Sequence, residues 1–176
     1  DWSSDVCSSD LVTRRQTTGR ERRSARRSFS FAGGVGSRMH LKTKPKQFLE
    51  LNGKAIIIYT IEHFEHHPQI DGIVVVCLKS WIPYLQSLLD QYHIKKAHWI
   101  IEGGSSGQES IRNGVYRLEG ELEDDDIAII HDGIRPMVDS SVLSDILRVC
   151  RLHGNGVTST PYTEQIFRIQ DEYSTR

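Results

Sequence analysis

Apolar residues along this chain recur at two spacings in turn, and the alternation predicts its elements. Ser28-Phe29-Ser30-Phe31 alternates polar and apolar over a short span, as a strand does. Phe48-Leu49-Glu50-Leu51 predicts a second short strand, ended by the turn Asn52-Gly53. From Lys54 to His66, Ile57, Ile61 and Phe64 recur at i, i+4 and i+7, the stripe of an amphipathic helix. Ile73-Val74-Val75-Val76-Cys77 is a continuous β-branched run and predicts a buried strand. Ser80 stands as the cap of a helix carrying Trp81, Leu85, Leu88, Leu89 and Tyr92 on one face. Trp99-Ile100-Ile101 is strand again, followed by the glycine-rich Gly103-Gly104-Ser105-Ser106-Gly107. Ile111, Val115 and Leu118 mark the next helix, with Gly120 as its stop. Ile127-Ala128-Ile129-Ile130 is a buried strand leading into His131-Asp132-Gly133. Asp139 then caps a helix striped by Val142, Ile146 and Val149 and stopped at Gly154. Val157–Thr160 and Ile166–Ile169 read as two further strands.

Strands alternating with helices of this length predict an α/β fold: three layers, α/β/α, around a mostly parallel sheet. Ligands of such sheets sit at the carboxyl ends of the strands. The glycines at 33–36, the second glycine loop at 103–107 and Asp132 each follow a strand directly. All three are therefore expected to line one crevice, although they are far apart along the chain.

The first of these loops reads Ala32-Gly33-Gly34-Val35-Gly36-Ser37-Arg38-Met39, and Thr43-Lys44-Pro45-Lys46-Gln47-Phe48 follows closely. Glycines let a backbone approach a ligand with no Cβ in the way, and successive bare N–H groups form an anion-binding concavity. Arg38 and Lys46 bring two cations to the same loop, one able to grip a phosphate bidentately and one acting as a point charge. The pattern fits a polyphosphate loop, and it also fits a glycine-rich turn with surface bases. A Walker-type loop is excluded because no G-K-[ST] follows, and the dinucleotide fingerprint fails where Met39 replaces its third glycine. Asp132 has two readings as well. It suits Mg²⁺, which takes one or two carboxylates and completes its octahedron with phosphate and water, or it is a turn residue bonding its own backbone ahead of Gly133. The run Asp124-Asp125-Asp126 reads as a solvated loop.

Three separated blocks then stand in order: A-G-G-V-G-S-R-M with P-K-Q, G-G-x-x-x-Q-E-S from Gly103 to Ser110, and H-D-G-I-R-P from His131 to Pro136. Together they resemble the signature of the nucleotidyltransferases acting on sugar and polyol phosphates. The resemblance is greatest to the cytidylyltransferases of 2-C-methyl-D-erythritol 4-phosphate or D-ribitol 5-phosphate, and it covers about residues 31–170. It implies a Rossmann-like, glycosyltransferase-A-like nucleotidyltransferase fold over residues 28–176, incomplete at its C-terminus. Ala32, Gly33, Gly34 and Gly36 would wrap the nucleotide, while Gly104, Ser105 and Ser110 would meet the cytosine ring. Arg38 and Lys46 would neutralise the triphosphate and the transition state. Asp132 would coordinate Mg²⁺, and Asp132, Gly133 and Arg135 would face the acceptor substrate. The implied partners are CTP and a polyol phosphate, with a homodimer as the working form. The resemblance leans narrowly to 2-C-methyl-D-erythritol 4-phosphate as acceptor, while Ser105, Gln165 and the wording G-G-V-G-S-R-M keep D-ribitol 5-phosphate close behind. A uridine- or thymidine-specific hexose-1-phosphate nucleotidyltransferase and an inactive fragment or binding module are the rivals.

The chain departs from the family pattern in three places. Ser105 stands where many erythritol-phosphate enzymes carry an acid, so base readout there would rest on backbone groups. Gln165, with Thr163 beside it, stands where a Thr often meets the neighbouring subunit's substrate. The resemblance also implies a further stretch beyond Arg176 with a dimerisation arm and another basic residue, so low stability and weak activity are expected.

Composition changes the picture little, except at the N-terminus. The 22 basic and 23 acidic residues nearly balance, which gives no reason to expect nucleic acid or an anionic membrane as partner. Residues 1–30 hold seven Arg against four acids, a net of +3, leaving −4 of the total −1 for the remainder. Asp1–Leu11 reads as a translated sequencing-library adapter and Val12–Arg27 as an out-of-frame stretch, so residues 1–27 are expected to be a non-native, disordered extension. Cys7, Cys77 and Cys150 form neither a disulfide framework nor a zinc spacing, and a reducing cytoplasm is the expectation. No apolar run reaches the ~20 residues of a membrane span. His63, His66 and His67 read as a solvated helix end, and Cys77 and Cys150 as small buried hydrophobes.

Overall fold

The computed structural model describes residues 11–14, 28–32, 44–123 and 126–159, the first two stretches as backbone only. The strands are β1 (Leu11–Arg14), β2 (Ser28–Ala32), β3 (Glu50–Leu51), β4 (Lys54–Ala55), β5 (Gly72–Cys77), β6 (Trp99–Glu102), β7 (Ile127–His131) and β8 (Asn155–Val157). The helices are α1 (Ile56–His66), α2 (Ile82–Gln91), α3 (Gly107–Arg117) and α4 (Ser140–His153). The main sheet runs β6-β5-β2-β7-β1-β8. Its first four strands are mutually parallel, and β1 lies antiparallel between β7 and β8.

Side-chain alternation sorts the core into two faces. Ile73, Val75 and Cys77 of β5, with Ile127 and Ile129 of β7, join Ile57, Ile61 and Phe64 of α1 and Leu85, Leu88 and Leu89 of α2. Leu143, Ile146, Leu147 and Cys150 of α4 complete that layer. On the opposite face Val74, Val76 and Ala128 meet Leu118, just beyond α3. Both faces of β5 and β7 are thus covered, which is why those strands read as unbroken apolar runs. The α/β/α architecture expected from the sequence is the one observed.

Local departures have local causes. The segment expected as a strand over Phe48–Leu51 begins as a 3₁₀ turn, Lys46–Phe48, in which Phe48 N–H donates to the Pro45 carbonyl at 3.0 Å. Phe48 is fully buried, stacked on Trp81 at 4.9 Å and edge-on to Tyr84 at 5.4 Å. Asn52 and Gly53, with φ of 52° and 77°, close a two-residue hairpin between β3 and β4. That pairing takes Lys54 and Ala55, so α1 starts at Ile56. Ser80 caps nothing: Lys79–Trp81 form a 3₁₀ turn, and α2 starts at Ile82 with Pro83 in its first turn. Asp139 does cap α4, accepting from Ser141 N–H at 2.7 Å, and Gly154 ends that helix at φ 86°. The strand expected over Val157–Thr160 is instead Asn155–Val157. Ile166–Ile169 lies outside the described residues.

Three further expectations need correction. Leu11–Arg14 belongs to the stretch read as disordered, yet it pairs with β7 and β8, from Leu11 opposite Ile130 and Val157. Its Val12-Thr13 pair has the β-branched chemistry of a strand, and the neighbouring ladders supply the partners its backbone needs. The other residues of 1–27 lie outside the described residues. His67 is buried rather than solvated. Its Nδ1 accepts from Gln69 N–H at 3.3 Å, so Nε2 carries the proton and donates to Ser144 Oγ at 3.1 Å. Asp126 is buried as well, its carboxylate accepting from Glu123 N–H at 3.0 Å, whereas Asp124 and Asp125 lie outside the described residues.

Candidate functional site

The sheet register decides which loops are neighbours. Ala32, the last residue of β2, stands opposite Val75 on one side and His131 on the other. Cys77 at the end of β5 stands opposite Glu102 at the end of β6. The chain therefore leaves the same carboxyl edge after Ala32, after Glu102 and after His131. With strands ~4.8 Å apart, three steps from β7 to β6 span roughly 14 Å of that edge. Gly33, Gly34, Gly36 and Arg38 lie outside the described residues, and Ala32 marks where their loop departs.

Lys46 reaches this edge through packing. Phe48, two residues on, stacks on Trp81, which follows the carboxyl end of β5. The Leu49 carbonyl accepts from Ile56 N–H at 2.9 Å and ties the segment to the start of α1. From the same helix Thr60, fully buried, donates its hydroxyl to the Gly133 carbonyl at 2.9 Å. One helix thus anchors both the segment bearing Lys46 and the turn bearing Asp132.

That turn is tightly built. Arg135 N–H donates to the Asp132 carbonyl at 3.0 Å, and Ile134 N–H reaches Asp132 Oδ1 at 3.4 Å. Arg135 Nε lies 3.7 Å from Asp132 Oδ2. His131 is buried, with Nε2 against the Arg135 carbonyl at 3.0 Å and its ring 5.0 Å from that of Phe64. The backbone-bonding reading of Asp132 is therefore realised. Asp132 offers carboxylate oxygen, the hard donor of which magnesium takes one or two from protein; among the described residues no group of three or more His, Cys, Asp or Glu could hold a metal ion.

The second glycine loop is locked from α3. Ser106 caps that helix, its Oγ accepting from Glu109 N–H at 3.1 Å. Ser110 is buried; its Oγ accepts from Gly104 N–H at 3.0 Å while its hydroxyl donates to the Ser106 carbonyl at 2.9 Å. The Ser105 hydroxyl, and then its amide, donate to the Glu109 carboxylate and hold it below the usual carboxylate range, with Arg112 adding to the effect. A Cβ on Gly104 would overlap the Glu109 side chain.

Gly104, Ser105, Ser110, Asp132, Gly133, Arg135 and Lys46 thus sit at one edge of the sheet. Sequence reasoning missed Glu109, Thr60 and the structural part played by His131. The Ser106-x-x-Glu109 spacing of a helix capping box would have exposed Glu109. No local signal pairs Thr60 with a carbonyl 73 residues away.

A sequence model of the family described as 2-C-methyl-D-erythritol 4-phosphate cytidylyltransferase matches residues 30–175. The ribitol-5-phosphate cytidylyltransferase of Lacticaseibacillus paracasei is 51% identical over 144 residues, covering 82% of this chain and 61% of that protein. The protein of the same name from Vibrio parahaemolyticus is 45% identical over 142 residues, with coverage of 81% and 60%. The 2-C-methyl-D-erythritol 4-phosphate cytidylyltransferase of Clostridium novyi is 36% identical over 124 residues, covering 70% and 52%. The chain spans about six-tenths of the length of the first two relatives. Among solved structures, 4-diphosphocytidyl-2C-methyl-D-erythritol synthase from Anaerococcus prevotii superposes with a TM-score of 0.68 at 18% identity, over 86% of this chain and 62% of that one, a likeness of fold. Among the described residues no helix is long and apolar enough to cross a membrane.

Proposed function

The chain belongs to the 2-C-methyl-D-erythritol 4-phosphate cytidylyltransferase family, and from that premise we propose that it transfers CMP from CTP to a polyol phosphate. One observation carries the reading: the register that sets Ala32 beside His131, so that the first glycine loop and the Asp132 turn leave adjacent strands at one edge. An oxygen of the acceptor's phosphate attacks the α-phosphorus of CTP in line. The new O–P bond forms as the bond to the β-phosphate bridge breaks, and pyrophosphate leaves with that electron pair. The attacking phosphate is already anionic, so no general base and no covalent nucleophile are required.

What the protein contributes is position and charge. Lys46 and Arg38 offset the triphosphate's charge, and the Ala32–Gly36 backbone wraps it. Gly104, Ser105 and Ser110 meet the base, with Ser105 acting through its carbonyl because its hydroxyl and its amide are both engaged by Glu109. Asp132, held by Thr60 and His131 through its turn, would hold Mg²⁺; when bound, that ion neutralises phosphate charge as the bond changes hands. Gly133 and Arg135 face the acceptor. The 51% and 45% identities to ribitol-5-phosphate cytidylyltransferases favour D-ribitol 5-phosphate as acceptor, while the family's own description keeps 2-C-methyl-D-erythritol 4-phosphate as the second reading. The working form is a homodimer in the cytoplasm, where CTP is made, and its mass in solution tests the former.

Pyrophosphate release from CTP and MgCl₂ with each acceptor decides among these. Release with one acceptor and not the other identifies the substrate. Release only from UTP with a hexose 1-phosphate would overturn the proposal. So would the failure of CTP to raise the melting temperature, since a ligand at 100 times its Kd adds ~2.7 kcal/mol.

A further inference from the structure

Glu109 stands one residue from Ser110, and the second glycine loop is shaped around it. Its Oε2 accepts from the Ser105 amide at 2.7 Å and from the Ser105 hydroxyl at 2.6 Å. Its alkyl stem lies across Gly104 in the space a Cβ there would need. Arg112, one turn further along α3, lies 3.8 Å from the other carboxylate oxygen. Backwards along the loop, Gly104 N–H is bonded to Ser110 Oγ, and that hydroxyl closes onto Ser106. The result is a closed circuit in which the carboxylate draws in Ser105, the stem sits on Gly104 and the two serines brace the return.

A helix N-terminus favours a carboxylate in its first turn, and a plain capping box would send that carboxylate to the cap residue's own amide. Here it reaches one residue further back, to Ser105, so it shapes the loop as well as ending the helix. Resting on the function proposed above, we infer that Glu109 is a positioning residue for nucleobase recognition: with the Ser105 and Gly104 amides held inside the loop, their carbonyls are the backbone groups left to meet the amino edge of cytosine. The glycine at 104 is required because Glu109 occupies the space above it. Preorganisation of this kind appears in ligand affinity and selectivity rather than in the chemical step.

The test uses the full chain with Glu109→Ala, Glu109→Gln, Gly104→Ala and the double variant Gly104→Ala/Glu109→Ala. Amide hydrogen exchange without ligand reads the loop directly. Exchange at Ser105 is expected to rise roughly tenfold in Glu109→Ala as a charge-assisted bond is lost, with Glu109→Gln recovering part of the protection through its remaining acceptor. With CTP, Glu109→Ala is expected to raise KM roughly tenfold, leave kcat within about twofold and narrow the CTP-over-UTP preference. Gly104→Ala should be harmful alone and add little to Glu109→Ala, since the group it collides with is gone. Unchanged Ser105 exchange in Glu109→Ala overturns the inference, as does a loss confined to kcat or full additivity of the two substitutions. An inactive wild-type chain would sink the proposed function and still leave the exchange measurement to judge Glu109.

Discussion

Thr60→Val probes the contact on which the Asp132 turn depends. The substitution is nearly isosteric and exchanges one β-branched helix residue for another of similar helix propensity, so the hydroxyl is the main thing removed. Thr60 is fully buried, and its Oγ1 lies 2.9 Å from the Gly133 carbonyl but 3.4 Å from its alternative acceptor, the Ile56 carbonyl. The single hydroxyl proton therefore belongs to Gly133, itself buried. Leaving that carbonyl without its donor costs ~1–3 kcal/mol, and the added methyl returns up to ~1 kcal/mol by burial. A net loss of ~1–2 kcal/mol is expected. With a urea m-value of ~2 kcal/mol/M, the unfolding midpoint should fall by roughly 0.5–1 M. The loss should also be local, with amide resonances of Gly133 to Arg135 moving in Thr60→Val and staying near their wild-type positions in Thr60→Ser. A midpoint within about 0.2 M of wild type and an unmoved turn would refute the claim that α1 holds Asp132 in place.

Lys46→Ala should lower kcat at least ~10²-fold without changing the urea midpoint, the loss typical of removing one preorganised charge-stabilising donor; near-normal turnover would take Lys46 out of the mechanism. Burial pushes the Cys77 thiol up to about 11, so about one molecule in a thousand is thiolate at pH 8. Peptide mapping after iodoacetamide treatment of the native protein should find Cys77 unmodified, and modified once urea is added. Burial first, and then the charge of Lys96, holds the His67 imidazole below its ordinary 6.5. The unfolded chain therefore binds the extra proton first, and stability present in full above pH 6.5 falls as pH drops toward the lower folded value. The urea midpoint should decline over that window in wild type and lose this part of its pH dependence in His67→Gln; an equal decline in both would assign the effect elsewhere.

Local chemistry alone specified much of this protein. The β-branched runs at 73–77 and 127–130 are strands because both their faces are covered, and the i, i+4 stripes are helices because one face is. Asp139 and Gly154 end α4 through contacts within a few residues, which is why a sequence reveals them. The three motif blocks carry the family resemblance by themselves, since none needs more than about sixteen consecutive residues, Ala32 to Gln47 being the longest. Tertiary structure decided what no short window contains. It placed β2 between β5 and β7, which sets Ala32, where the glycine loop departs, beside His131. It turned Phe48 inward onto Trp81 instead of along a strand, buried His67 against α4, and drew Leu11–Arg14 into the ladder between β7 and β8. It also gave the Thr60 hydroxyl to a carbonyl that lies 73 residues away. The physical reason is the same throughout: periodicity records which face of an element is covered, whereas the identity of the covering partner is settled only when distant backbone and side-chain groups compete for the same donors and the same space.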